Sequence, residues 1–302
     1  MGRRNSDWRD DRFEALGSPF FEPKRDLNVV IFSKDRAPQL DLLLRSMEKN
    51  FYMYYNQNVT VIFRASNDGY AAGYRKLIKK WGRKDKGTGA ATWVNEEQSS
   101  FKEATVSAID PAKMFTMFLV DDIVFTNPFT VNDEEFKFLQ SDEDVLGLSL
   151  RLDPKKTYCY AIDQTMQVPE SHSELFCFPW HGKDGDFGYP MSVDGTVFRT
   201  NEIAPLVQKL AYWNPNTFES VLSQNLIEHP FLLAYSKAKL VNIPANRTQD
   251  TFKNRHANLE EAQLSKLNEQ YLQGMEIDVE PFNGLETPSV HFEMNFSLIE
   301  RL

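Results

Sequence analysis

Cysteine is nearly absent: Cys159 and Cys177 are the only two in 302 residues. Two thiols cannot build a disulfide framework or a four-cysteine zinc site, so they read as reduced, packed thiols of a cytoplasmic protein. Long apolar runs are also missing. None approaches the roughly 20 residues that cross a bilayer as a helix, which excludes an integral helical membrane protein. Basic residues are in deficit, 34 Lys and Arg against 43 Asp and Glu, for a net charge of -9. A general nucleic-acid binder gains affinity by neutralising phosphates and needs the opposite sign, so nucleic acid is not an expected partner. The stretch from Met1 to Asp11 is charged and has no apolar core, so a secretory signal is not expected. Residues 1–26 are polar, contain Pro19 and Pro23, and read as an N-terminal tail or surface strap.

What is present is alternation. Leu27 to Ser33 is a near-continuous apolar run, the pattern of a strand buried on both faces. Pro38 then opens a helix carrying Leu40, Leu43, Leu44 and Met47 at helical spacing. The unit recurs: strand Val59 to Phe63, helix Ala71 to Trp81, strand Ala90 to Val94, helix Phe101 to Ile109, strand Met114 to Val120. Strands alternating with helices predict an α/β fold with a mainly parallel sheet. The second half is less regular. It offers strands at 145–150, 157–162, 175–178, 191–198 and 240–243, and helices at 202–213, 217–228 and 259–273. The expected organisation is a tail (1–26), one domain (27–245) with a nucleotide-type half (27–130) and a smaller mixed acceptor-type half (131–245), and a C-terminal appendage (246–302).

In open parallel sheets, ligands bind beyond the carboxyl ends of the strands. Strand one ends in Ser33, Lys34, Asp35 and Arg36; strand two is followed by Ser66, Asn67 and Asp68; strand four runs into Asp121 and Asp122. Two carboxylates at the end of a very apolar strand are costly to hold unpaired, and a hard divalent cation is a natural partner. The competing reading is structural: the pair caps a turn or meets Lys or Arg. Asp68 likewise sits in an Asn-Asp-Gly turn signal.

The segments LNVVIFSKDRAPQLDLLLRSM (27–47) and MFLVDDIVF (117–125), with the strand leading to Asp68 between them, resemble GT-A-type nucleotide-sugar glycosyltransferases in order and spacing. The resemblance covers residues 27–130 and weakens to 256. It implies a Rossmann-type, mainly parallel sheet flanked by helices and a glycosyl transfer from a nucleotide-sugar donor, a UDP-sugar first of all, to a carbohydrate acceptor. It implies Mn²⁺ or Mg²⁺ at Asp122, with Asp121 toward the ribose or a metal-bound water, and a late histidine, His256, as a further ligand. Phe32, Ser33, Arg36, Ser66 and Asp68 would frame the nucleotide, with Lys102 reaching a phosphate. One departure stands out: Val120 and Ile123 flank a bare pair, so no Asp-x-Asp exists in either register.

Inversion at the sugar needs a base near the acceptor hydroxyl. Glu219 and Asp194 compete for the role, with Glu219 placed first. Asn216 and Glu219 also fit a capping box, and Asp194 precedes the turn residue Gly195. Trp180, His181 and Tyr189 bracket a glycine-containing loop and are read as acceptor-binding aromatics or, alternatively, as buried anchors. Arg75, Lys76, Lys79, Lys80, Arg83, Lys84 and Lys86 form a basic face that would suit an anionic membrane surface or simply be solvated. The alternative to an enzyme is a non-catalytic nucleotide-sugar-binding protein on the same fold. A phosphotransferase with an aspartyl nucleophile is disfavoured because Ile123 stands where its second Asp belongs. A nucleotidylyltransferase would want glycines in the 33–38 loop, which has none.

Overall fold

The computed structural model describes residues 26–52, 57–82, 91–244 and 261–301. His256, the tail before Asp26, and Arg83, Lys84 and Lys86 of the basic face lie outside the described residues. The first half alternates as expected: β1 (Leu27–Lys34), α1 (Ala37–Asn50), β2 (Asn58–Arg64), α2 (Asp68–Trp81), β3 (Thr92–Asn95), α3 (Phe101–Ser107) and β4 (Phe115–Val120). These four strands are parallel, in the order β3-β2-β1-β4.

The apolar runs of β1 and β4 are continuous because each strand feeds two cores. Val29, Ile31, Met117 and Leu119 pack on one side of the sheet. Val30, Phe32 and Phe118 pack on the other. Alternate side chains of a strand face opposite ways, so burial on both faces leaves no polar position in the middle.

The second half contributes β5 (Ile123–Phe125), α4 (Glu134–Ser141), β6 (Val145–Ser149), the small hairpin β7 (Tyr158–Cys159) with β8 (Gln164–Thr165), β9 (Phe176–Pro179), β10 (Thr196–Arg199), α5 (Thr200–Lys209), α6 (Pro215–Gln224), β11 (Phe231–Ala234) and β12 (Leu240–Asn242). The sheet continues β4-β10-β6-β11-β9, with β10 and β9 antiparallel to their neighbours. This topology assembles the site. The carboxyl ends of β1, β2, β3, β4 and β6 share one edge with the amino end of antiparallel β10.

Several elements differ from their sequence reading. The strand expected over 191–198 begins only at Thr196, because the Asp194 N–H donates to Ser192 Oγ (3.1 Å) and Gly195 turns at φ +86°. The strand expected over 157–162 shrinks to a two-residue pairing, since the N–H groups of Thr157 and Tyr158 both go to the Pro288 carbonyl. After Asp121-Asp122 the chain does not simply turn away. It forms β5 and pairs antiparallel with β12, Ile123 opposite Asn242.

Residues 261–301 form α7 (Glu261–Leu272), β13 (Met275–Ile277) and β14 (Leu298–Glu300), with β13 and β14 paired. The segment is bound to the sheet domain by buried polar contacts. Arg45 on α1 donates to the Ile277 carbonyl, the buried Asn268 amide on α7 donates to the Gly69 carbonyl at 2.9 Å, and Lys80 lies 3.6 Å from Glu276. The Lys76 ammonium caps the carbonyl of Tyr271 at the end of α7. Two cations of the basic face therefore point inward. No described helix is long and apolar enough to cross a membrane.

Candidate functional site

The site begins at the tip of β1. Asp35 takes a left-handed conformation (φ 60°), and its carboxylate accepts the Ser66 N–H at 2.6 Å, tying the β1 and β2 loops together. The turn drops Arg36 back over the sheet edge, where its guanidinium lies 3.1 Å from Asp121 Oδ1 and 3.6 Å from Asp122 Oδ2. The Lys34 N–H donates to the other Asp121 oxygen at 3.1 Å. Tyr74 from α2 completes this floor: its hydroxyl pairs with Ser33 Oγ at 2.7 Å and accepts the Arg36 N–H at 3.2 Å.

Asp121 and Asp122 are thus not equivalent. Asp121 is held in place by Arg36 and a backbone amide. Asp122 sees Arg36 only at longer range, and the Asn242 amide donates to it at 3.4 Å. Burial pushes the Asp122 carboxyl up to about 7, with Asp194 and Asp121 adding repulsion against the relief from Arg36. The β5–β12 pairing carries Asn242 here, and the Ile243 N–H closes the turn on the Asp122 carbonyl at 2.7 Å.

The second half faces this pair with its own charged cluster. Arg151 follows β6, is buried, and lies 3.7 Å from both Asp186 and Asp194. Asp194, just before β10, also lies 3.9 Å from the His291 imidazole. Burial, then repulsion from Glu219, raises Asp194; burial raises Glu219 as well, with Arg151 opposing both. Burial lowers His291 to about 4, and Arg151 adds to the effect, so its imidazole is neutral at neutral pH. His291 arrives on a segment pinned around Asn242: the Asn242 N–H donates to the Val290 carbonyl, and the Phe292 N–H donates to the Asn242 carbonyl, each at 2.9 Å.

Glu219 is not a capping residue. The α6 cap is a box between Asn214 and Thr217, and the Glu219 carboxylate instead accepts the Val193 N–H at 3.1 Å, beside the hydroxyls of Ser192 and Tyr189. It braces the loop that presents Asp194. Tyr189, exposed, keeps its ring at the mouth of this half.

Other expected residues fall elsewhere. Phe32 is 2% exposed and packs on Phe101, Phe118 and Phe218, because the β1 alternation turns it into the core; its side chain does not frame a nucleotide. Trp180 is likewise a core aromatic, its indole N–H given to the His229 carbonyl and one face covered by His181 at 3.6 Å. His181 itself is exposed. Ser66 and Asp68 are exposed beyond the end of β2, where Asn67, not Asp68, caps α2. Lys102 sits at the start of α3 with its ammonium 5.9 Å from the Tyr212 ring. Sequence reasoning missed Arg151, Asn242 and His291. The end-of-strand rule reaches Arg151 once β6 is placed. Nothing in the tail pattern distinguishes His291.

Among the described residues no three His, Cys, Asp or Glu side chains form a ready metal-ligating group. The donor chemistry nevertheless suits a hard or borderline divalent cation. The buried Asp122 carboxylate shares its Arg36 partner with Asp121 and is repelled by Asp121 and Asp194, a charge imbalance that a divalent cation would relieve.

No family model matches the chain. It is 25% identical over 265 residues to the bifunctional glycosyltransferase pgtA of Dictyostelium discoideum, an alignment that takes in 76% of this chain and 33% of that protein. The chain thus spans about a third of the length of this relative. Among solved structures, TarS (1–349) of S. aureus superposes with a TM-score of 0.45 at 13% identity, covering 71% of this chain and 59% of its own. A mannosyltransferase of Pyrobaculum calidifontis, solved with GDP-Man and Mn²⁺, gives 0.42 at 13% identity, covering 73% and 58%. In sequence, therefore, the chain is similar to a glycosyltransferase, and the resemblance to the GT-A type runs through the half that carries Asp121 and Asp122.

Proposed function

We propose that this chain is a hexosyltransferase-like glycosyltransferase domain, moving a sugar from a nucleoside-diphosphate donor, a UDP-sugar first of all, to a hydroxyl of a carbohydrate acceptor. The observation that carries the reading is the meeting of two carboxylates from opposite halves of the domain. Asp122 at the end of β4 and Asp194 ahead of β10 share one edge, one amide neighbour in Asn242 and a mutual repulsion.

The donor nucleotide would lie along the β1–β2–β3 side, past Ser33, Ser66 and Asp68, with Asp121 kept in register by Arg36. Mn²⁺ or Mg²⁺ would be held by Asp122 and, when bound, would neutralise the leaving diphosphate. The acceptor would enter from the Tyr189 side. Its hydroxyl oxygen attacks the anomeric carbon, the bond to the diphosphate breaks, and the hydroxyl proton passes to Asp194, giving inversion. Asp194 suits a base better than Glu219. It faces Asp122, and its raised pKa brings it toward the working pH. Glu219 is committed to the Val193 amide and serves to position the loop. A cytoplasmic setting belongs to the proposal, in keeping with two cysteines that are both buried and free.

The test is a panel of UDP- and GDP-sugars scored for thermal stabilisation with and without Mn²⁺. A donor at 100 times its dissociation constant adds about 2.7 kcal/mol. Stabilisation that requires Mn²⁺ and is lost in Asp122→Asn supports the reading. A panel without any response contradicts it. Binding without turnover would mark a non-catalytic nucleotide-sugar binder instead.

A further inference from the structure

The acid pair already holds a cation of the chain's own. One nitrogen of the Arg36 guanidinium, Nη1, lies 3.1 Å from Asp121 Oδ1 and 3.6 Å from Asp122 Oδ2. The Arg36 side chain is 8% exposed, so solvent ions screen these contacts poorly. The two contacts are unequal. The shorter is a hydrogen bond; the longer is charge attraction without one.

Arg36 is fixed from behind. Its N–H donates to the Tyr74 hydroxyl at 3.2 Å, and its carbonyl accepts the Leu40 N–H at 2.9 Å in the first turn of α1. Asp121 is anchored in turn by the Lys34 N–H on its other oxygen. Asp122 has longer partners, Arg36 at 3.6 Å and the Asn242 amide nitrogen at 3.4 Å. Its side chain also keeps 18% of its surface open, against 6% for Asp121. The guanidinium is therefore seated on Asp121 and only leans on Asp122, the carboxylate that an ion from solvent can reach.

That contact works in two directions. A buried carboxylate without a cation is costly, and Arg36 makes the empty pair tolerable. A divalent cation arriving at Asp122 would meet the same guanidinium at close range. Two like unit charges about 4 Å apart disfavour each other by about fivefold in water and up to about 10³-fold near a protein surface.

We propose that Arg36 is the resident counter-cation of the acid pair: it stays on Asp121 and competes with the divalent cation for Asp122. The inference rests on the metal-assisted reading above and is tested apart from it. The probe is Mn²⁺ alone, its free concentration followed by electron paramagnetic resonance, on wild type, Asp122→Asn and Arg36→Met. Arg36→Met is expected to bind Mn²⁺ about tenfold tighter or more, within that electrostatic range.

Arg36→Met also strips Asp121 of its cation, which would release it as a second ligand. A second comparison removes that ambiguity: Asp121→Asn against Arg36→Met combined with Asp121→Asn. No buried charge is stranded at position 121 there, and the same tightening is expected. Circular dichroism checks the fold, and this second comparison carries the test if Arg36→Met alone does not fold. A purely structural Arg36 predicts lower stability with Mn²⁺ affinity unchanged.

Mn²⁺ affinity that is unchanged or weaker when Arg36 is removed from Asp121→Asn overturns the inference. So does tightening confined to Arg36→Met alone, which would make the released Asp121 its cause. If Asp122→Asn abolishes binding while removal of Arg36 changes nothing, only this inference is wrong. If wild type and every variant bind no Mn²⁺, the metal reading fails and the inference falls with it.

Discussion

Replacing Asp122 by Asn should make the metal-free protein more stable while removing the carboxylate of the proposed metal site. The carboxyl is buried, its nearest cation is Arg36 at 3.6 Å, and Asp121 and Asp194 are close by. Its pKa is raised from 3.8 to about 7 in the folded state. Folded protein therefore holds this proton more tightly than unfolded chain does. The stability linked to it is fully present below about pH 4 and is lost as pH rises through about 7. At pH 8 the ionised carboxylate costs up to about 4 kcal/mol, which an amide of the same shape avoids. The same arithmetic leaves less than about 2 kcal/mol at pH 5. Urea unfolding of wild type and Asp122→Asn in EDTA, at both pH values, reads the difference directly. The expected result is a variant more stable at pH 8, with the gain shrinking at pH 5. A variant less stable than wild type at pH 8, or a gain independent of pH, would refute the electrostatic account of this site.

Asp194→Asn should lower transfer by about 10²–10⁴-fold with donor affinity kept, whereas Glu219→Gln should cost less than that because its role is to brace the Val193 amide; single-turnover rates with saturating donor rank the two. Arg151→Met leaves Asp186 and Asp194 without their shared cation, and a loss of about 3–5 kcal/mol at pH 8 is expected in denaturant melts. Gly195→Ala forces a side chain onto a backbone at φ +86°, with its Cβ 2.5 Å from Leu240, and should cost roughly 1–2 kcal/mol; an unchanged melt would show that the turn ahead of β10 relaxes freely.

The parallel half is legible because burial on both faces writes itself as unbroken apolar runs, as in Val29–Phe32 and Met117–Val120. The end-of-strand rule then found Arg36, Asp121 and Asp122 without any structure. Asp194 was legible as a carboxylate beside a glycine, but its facing Asp122 depends on β10 running antiparallel, which no local pattern announces. Phe32 was misplaced for a related reason: a residue next to polar Ser33 looks like loop, yet alternation turns its ring inward. Trp180 looked like a platform because aromatic residues at loop ends serve either as surfaces or as anchors, and burial alone decides. Arg151, Asn242 and His291 come from three separate stretches joined only by tertiary pairing, β6 with β10, β5 with β12, and Asn242 with the Val290–Phe292 segment. His256 lies outside the described residues, and no local pattern singles out His291, because sequence distance carries no information about the pairing that brings it to Asn242.

The most direct measurement is turnover of nucleotide sugars, followed as release of the nucleoside diphosphate, by wild type and by Asp122→Asn and Asp194→Asn, with Mn²⁺ and in EDTA, against a carbohydrate acceptor panel. The account predicts Mn²⁺-dependent release that rises with an acceptor, is abolished in Asp122→Asn, and falls in Asp194→Asn with donor binding retained. Release that is indifferent to Mn²⁺ and to both substitutions, or donor binding with no release from wild type under any acceptor, would contradict it.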